Sequence, residues 1–385
     1  MMDEILLKRL SEKSDGWIRI NRQTGFERFK SRDIPRWKRL SLKDFTLPEY
    51  RGYGRLSVSA DGADVKDIMD TGMRDDVRDI VESGLAFGVD EKFVSMVDSF
   101  FNTGVVIRPG KGSGNGAPVI IRYASDGDLI LDQNVIIAEP YTTARIVIDY
   151  DDISGKSSFH DGVTRILAKE GSKVELTILQ RLSDSSYNFN SVLGVVEDDA
   201  AINWSVIEMG SKNSAVNYMT YMRGQGGENR VKGAFLLDGD RRLDLSFKVN
   251  HLAPKTISDI DIRGALKDNS YSIFRGDLDM KHGAKGAKGN ERESVILLDR
   301  TVRSDAIPAL KCGDDDVEAG HAASCGELDE NVLFYMMSRG LSYDEARMML
   351  VEAGFNPVID ALPDDGLRDA MREILKRRLT GGEDD

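Results

Sequence analysis

The chain has 385 residues, of which 41% are apolar and 30% charged, and carries a formal net charge of −13 at pH 7. That length supports one large domain or two to three smaller ones around a substantial core. The acidic balance argues against a nucleic-acid partner, whose phosphates require clustered Lys and Arg, and the lack of any run of about 18 apolar residues argues against a membrane span.

The N-terminal stretch MMDEILLKRLSEK carries acids and has no apolar h-region, so no signal peptide is expected. With two cysteines, Cys312 and Cys325, and no secretory segment, the expected location is cytoplasmic, where thiols stay reduced and are free to act as ligands.

Residues 1–102 read as a mainly helical region. Val77, Ile80 and Val81 recur at helical spacing in DDVRDIVESG, as do Phe93, Met96, Val97 and Phe100 in DEKFVSMVDSFF. Trp17 and Trp37 are expected to anchor its core.

From 103 to 326 nearly every segment is a short run of β-branched and apolar residues ended by Gly, Asp, Asn or Ser, which reads as strand and turn with no intervening helix. Ile146, Val174 and Ile202 stand 28 residues apart, and so do Leu243 and Tyr271. A fixed repeat of this length points to a solenoid, in which stacked coils bury a continuous core. A β-sandwich would also satisfy the strand pattern but gives no reason for one repeat length. The cluster Lys281, His282, Lys285, Lys288 and Arg292 in MKHGAKGAKGNER reads as a solvated loop.

Residues 327–385 are helical again. Leu328, Val332, Leu333 and Met336 form one apolar stripe. Ser342 and Glu345 form a capping box that starts a helix with Ala346, Met349, Leu350 and Ala353 on one face and Gly354 as its stop. Leu367, Ala370, Met371, Ile374 and Leu375 mark a third helix, ending in Lys376, Arg377 and Arg378 where positive charge suits the helix dipole.

No G-x-x-x-x-G-K-[ST] loop occurs, and RPGKGSGNG and HGAKGAKGN lack its spacing and terminal hydroxyl. C-x-x-C, H-E-x-x-H and G-x-S-x-G are also missing, and four histidines leave few general bases. A non-enzymatic role follows as the expectation. The remaining chemistry is a ligand set: Cys312, His321 and Cys325, thiolates and an imidazole suited to iron or zinc, with Glu291 and Glu293 in GNERES as oxygen donors. Cys312 and His321, nine residues apart, are expected on adjacent strands of a ladder, facing one side. Each cysteine also fits a buried small hydrophobe, and His321 a hydrogen-bonded structural histidine.

Several stretches resemble the SufB/SufD family of iron–sulfur cluster assembly scaffolds. They are DLILDQNVIIAEPYTTARIVIDY (Asp128–Tyr150), HDGVTRILAKEGSKVELTILQRL (His160–Leu182), VNHLAPKTISDIDIRGALKDNSYSIFRGDLDM (Val249–Met280) and IPALKCGDDDVEAGHAASCGELDENVLFYMMSRGLSYDEA (Ile307–Ala346). The resemblance runs from about Ile121 to Phe355, with an echo in IPRWKRLSL near Trp37. It implies a mainly β fold, a right-handed parallel β-helix flanked by N-terminal and C-terminal helical regions. It also implies a scaffold subunit that carries an iron–sulfur cluster transiently and docks a SufC-type ABC ATPase with its C-terminal helices. Dimerisation, as a homodimer or a SufB/SufD heterodimer, is implied through the C-terminal half of the β-helix near Leu297–Ala309.

His321 falls on the histidine of a family tetrad, here HAAS. SufB-type members carry Glu where Ala322 stands and Cys where Val302 stands. The chain therefore looks SufD-like, or like the single SufB/SufD homologue of a minimal two-component system, whose PxLxC-GxDDVE-xxH pattern retains Cys312. Two other roles compete with that of scaffold: a SufD-like adaptor that stabilises a SufB–SufC complex without binding cluster, and a carbohydrate-active β-solenoid enzyme.

Overall fold

A computed structural model describes every residue except 1, 15, 38, 41, 43, 44, 61, 62, 71–74, 111–116 and 381–385. The short strand runs, most of about ten residues, are each followed by a turn that reverses the chain, so successive strands fall alternately into two facing sheets. One sheet stacks β1 (Leu56–Ser59), β4 (Val119–Ser125), β6 (Thr143–Asp152), β8 (Lys173–Arg181), β10 (Ala201–Glu208), β12 (Glu228–Leu237), β14 (Ile257–Leu266), β16 (Ala287–Leu297) and β18 (Val317–Glu327). The other stacks β2 (Ala63–Asp67), β3 (Val105–Pro109), β5 (Leu129–Ala138), β7 (Phe159–Ala168), β9 (Tyr187–Val196), β11 (Asn213–Met222), β13 (Arg242–His251), β15 (Tyr271–Met280) and β17 (Arg303–Cys312). The result is a parallel β-solenoid of about seven turns.

The 28-residue repeat holds where Val174 lies opposite Ile202. It holds again between β7 and β9, where His160 lies opposite Asn188, but not at the other predicted positions: Ile146 pairs with Val119 and Leu176, and Leu243 pairs with Ser272. The offset runs from 26 residues between Tyr187 and Asn213 to 32 between Tyr271 and Arg303. Register is set by the inward columns, and the turns absorb the difference in length.

Those columns form the main core. Tyr123 stacks on Tyr150 with ring centroids 5.2 Å apart, and Tyr218 on Phe247 at 4.9 Å, within an interior of Ile, Val and Leu. At one end of the strands the turns repeat a left-handed residue once per coil: Tyr141, Gly171, Asp199, Gly226, Lys255 and Gly286. Each donates its amide to a turn carbonyl of the next coil, from Tyr141 to Glu170 at 3.0 Å through to Gly286 to Asp316 at 2.6 Å. Glycine takes this conformation without strain, whereas Tyr141, Asp199 and Lys255 hold it at a cost of roughly 1 kcal/mol each.

The N-terminal region contributes helices α1 (Glu4–Glu12), α2 (Gly16–Ser31), α3 (Asp75–Val81) and α4 (Glu91–Phe100), and also the strands β1 and β2, which the helical reading missed. Both strands pair antiparallel, β1 with β4 and β2 with β3, and cover the edges of the first coil. Trp17 is buried, and Trp37 is half-buried against Phe93 and Phe189. Beneath α4, buried Asp98 accepts from Arg28 and Arg165 at 2.8 Å, tying helix to sheet.

The C-terminal helices are α5 (Glu330–Ser338), α6 (Tyr343–Ile359) and α7 (Asp365–Thr380). The Ser342–Glu345 capping box is present. Gly354 does not end its helix: α6 continues through Pro357 to Ile359, because Phe355, Val358 and Ile359 are buried against Val147, Leu179 and Ile207 of the sheet. Tertiary burial outweighs the local stop signal. No helix among the described residues is long and apolar enough to cross a membrane.

Candidate functional site at the open end of the solenoid

The first coil is covered, and the last is not. In β16 the odd-numbered residues Ala287, Gly289, Glu291, Glu293 and Val295 are buried while their neighbours face out. The register Glu291 to His321, Glu293 to Ala323 and Val295 to Cys325 extends these inward columns into β18, where they are exposed for lack of a further coil. On the facing sheet the columns of Leu278 and Met280 continue into Leu310 and Cys312 of β17, equally exposed. His321, Cys325 and Cys312 therefore all sit at inward-facing positions of an uncovered coil.

They are not gathered into one group. β17 and β18 belong to facing sheets and not to adjacent strands of one ladder, contrary to the expectation for Cys312 and His321. The chain reverses through 313–316, so Cys312 lies over the start of β18, whereas Cys325 bonds Ser304 near the start of β17. Eight residues of β17 separate Ser304 from Cys312, roughly 26 Å at about 3.3 Å per residue. Among the described residues no set of three His, Cys, Asp or Glu side chains is arranged to hold a metal.

Beneath this surface lie two carboxyls. Glu291 is 5% exposed and Glu293 2%. Burial, with Asp277 adding to it, pushes Glu291 up to about 7; burial, with Glu291 adding to it, pushes Glu293 up to about 8. Room for Glu291 comes from Gly276 on β15, where a Cβ would fall 1.9 Å from the carboxyl. Burial, and then the charge of Glu293, also raises the Cys325 thiol.

Sequence reasoning missed two further polar clusters. His251 at the end of β13 has Nδ1 2.8 Å from Thr256 Oγ1 and Nε2 2.9 Å from Ser258 Oγ, so these three side chains form a clasp across a turn. Inside the first coils, His160 lies 2.7 Å from Asp132 and 2.5 Å from Asn188, which donates to Ser214, and Ser214 donates to Glu208. Asp132, His160 and Asn188 recur every 28 residues along the chain, yet only His160 and Asn188 lie opposite each other; Asp132 lies opposite Gly162, so a fixed repeat places this cluster only in part.

Comparison with known proteins places this architecture. Residues 121–354 match the family model of the SUF system FeS cluster assembly SufBD core domain. The chain belongs to the SufB/SufD family. Against SufD of Bacillus subtilis it is 25% identical over 296 residues, covering 76% of this chain and 68% of that protein. Against SufB of the same organism it is 26% identical over 295 residues, covering 76% and 63%. These two values do not separate a SufB-like from a SufD-like chain. An iron–sulfur cluster assembly SufBD family protein of Mycobacterium tuberculosis is 32% identical over 206 residues, 54% of this chain but only 24% of that longer protein.

The third surface with chemical character in this SufB/SufD-family chain is α5. Of its apolar residues only Leu333 is buried, whereas Phe334 is 74% exposed, Tyr335 58% and Met337 44%. The Lys281–Arg292 cluster is solvated, with Lys281 paired to Asp279 and Lys288 to Glu318.

Proposed function

We propose that this chain is a cytoplasmic scaffold subunit of a Suf-type iron–sulfur cluster assembly complex, working with a SufC-type ATPase that supplies the nucleotide chemistry. The observation that carries the reading is the uncovered last coil, where thiol, imidazole and buried carboxyl side chains meet an unpaired sheet edge. A coil of this kind is completed by another SufB/SufD-type subunit, and the cluster is cargo held where the two subunits meet. Cys312 and His321, with Glu293 in support, are its proposed ligands from this side, and Cys325, about 26 Å from Cys312, is a lesser donor that could serve only a cluster held at the other end of β18. The aromatic face of α5 is the proposed ATPase contact, since an apolar patch of this kind marks an interaction site.

Anaerobic reconstitution with iron and sulfide tests the reading. Visible charge-transfer absorption is expected, strongly weakened in Cys312→Ser and His321→Ala and less so in Cys325→Ser. The wide separation of Cys312 from Cys325 favours a second reading, in which the chain is an adaptor that stabilises the assembly without ligating cluster. Wild-type iron and sulfide binding by all three variants would select it.

A further inference from the structure

A cleft of about 950 Å³ lies where Ile34, Trp37, Leu42, Phe45 and Leu47 meet Lys92 in the first turn of α4. Its size suits a small organic molecule. Trp37 packs 5.7 Å from Phe93 of α4 and 6.0 Å from Phe189 of β9, while Phe45 packs 5.8 Å from Phe159 of β7 and 5.0 Å from Tyr187 of β9. The aromatic wall is thus mounted on the early coils, far along the stack from the open end.

The charges around this wall do not cancel. Arg32, Arg36 and Lys92 line the cleft against one acid among the described lining residues, Asp33, in a chain whose net charge is −13. Arg32 pairs with Glu91 at 2.5 Å, whereas Arg36 makes no ion pair among the described residues. Lys92 is only 8% exposed. Its ammonium donates to the Phe29 carbonyl at 2.7 Å and lies 3.5 Å from the centre of the Phe29 ring, with no carboxylate at ion-pair distance. Burial holds this ammonium below its ordinary range, against the opposing pull of Asp33 and Asp90. An ammonium has three donors, so a desolvated one with a single acceptor keeps capacity for an anion.

We propose that this cleft binds an aromatic anion, a carboxylate, sulfonate or phosphate on a ring body, with its charge held by Lys92 and Arg36 and its rings against Trp37 and Phe45. An inorganic anion would leave the apolar wall wet, and a neutral apolar molecule would leave Lys92 short of an acceptor. A ligand with both parts meets both needs. Ring bodies are favoured over aliphatic ones because aromatic pairs add to area burial and guanidinium groups stack on ring faces. Such a ligand would tie the stretch preceding β1 to α4, and so stabilise the fold by mass action. The site is separate from the proposed cluster ligands and does not depend on them.

The probe is 8-anilinonaphthalene-1-sulfonate, compared with its uncharged analogue N-phenyl-1-naphthylamine. Both are titrated by fluorescence into the full chain carrying Phe334→Asp and Tyr335→Asp, which removes the exposed aromatics of α5 as a competing surface. The sulfonate should saturate a single site, raise the melting temperature and bind at least about tenfold tighter than the neutral dye. Lys92→Met keeps the length of a buried side chain, and Arg36→Met alters only an exposed one, so the second stands if the first perturbs the fold. Each should weaken the sulfonate about tenfold and leave the neutral dye within about twofold. Lys232→Met, on β12 of the other sheet, should change neither. Equal affinity for the two dyes, no saturable binding, or unchanged sulfonate affinity in Lys92→Met and Arg36→Met overturns the proposal.

Discussion

The carboxyl of Glu291 occupies the space that a side chain at Gly276 would need, across the solenoid interior from one sheet to the other. The two positions are therefore coupled. Gly276→Ala should destabilise by about 2–3 kcal/mol, as overpacking of a full core does. The double variant Gly276→Ala, Glu291→Ala should recover much of that loss. Urea denaturation of the four members of the cycle checks it, and additive effects would show that the two side chains do not compete for this space.

The His251 clasp predicts a pH dependence. Burial holds the imidazole down at about 4, below its ordinary value near 6.5. The unfolded chain then binds more protons between those values, so the clasp's contribution is complete above about pH 6.5 and is lost as pH falls toward 4. About 2 kcal/mol should disappear between pH 7 and pH 5, and that slope should be absent in His251→Gln, as measured by denaturant titration at both pH values.

The turns that carry the left-handed residues predict opposite outcomes for two substitutions, one at a left-handed position and one at a close backbone approach. Lys255→Gly relieves an L-residue of a positive φ and should stabilise by about 0.5–1 kcal/mol. Gly224→Ala would place a Cβ 1.9 Å from the Asp198 amide nitrogen, against backbone that cannot step aside, and should cost about 3 kcal/mol or more. Thermal denaturation separates the two directions.

The α5 surface predicts a loss of association without a loss of fold. Phe334→Asp with Tyr335→Asp replaces only exposed side chains and should shift the melting temperature by no more than ~2 °C. It should abolish co-purification with a SufC-type ATPase. Removal of the whole 328–385 segment is a poorer probe, because α6 and α7 cover Val147, Leu179 and Ile207 and their loss would bare that sheet.

The fold was legible in the sequence because its signals are local and repeated: strand runs ended by turn residues, a helix opened by Ser342 and Glu345, a near-constant coil length. What was not legible came from contacts distant along the chain. Gly354 reads as a stop until Phe355 and Ile359 are seen to be buried on the sheet. Cys312 and His321 look like neighbours at nine residues, yet the turn between them sends them to facing sheets. Glu291 and Glu293 stand out in GNERES as acids, but their burial depends on the coil that lies over them. Gly276 had no signal at all, since its role is the space it leaves for a residue fifteen positions away.

The open end also bears on how the molecule comes apart. In a linear stack each coil is stabilised by its neighbours, and the coil formed by β17 and β18 has only one. It is the coil expected to fray first, exchanging its amide hydrogens faster than the interior rungs. A partner subunit would supply the missing neighbour. Subunit pairing would thus act as a cooperative cap, converting the least protected turn of the solenoid into an interior one at the same moment that it brings the proposed ligand surfaces together.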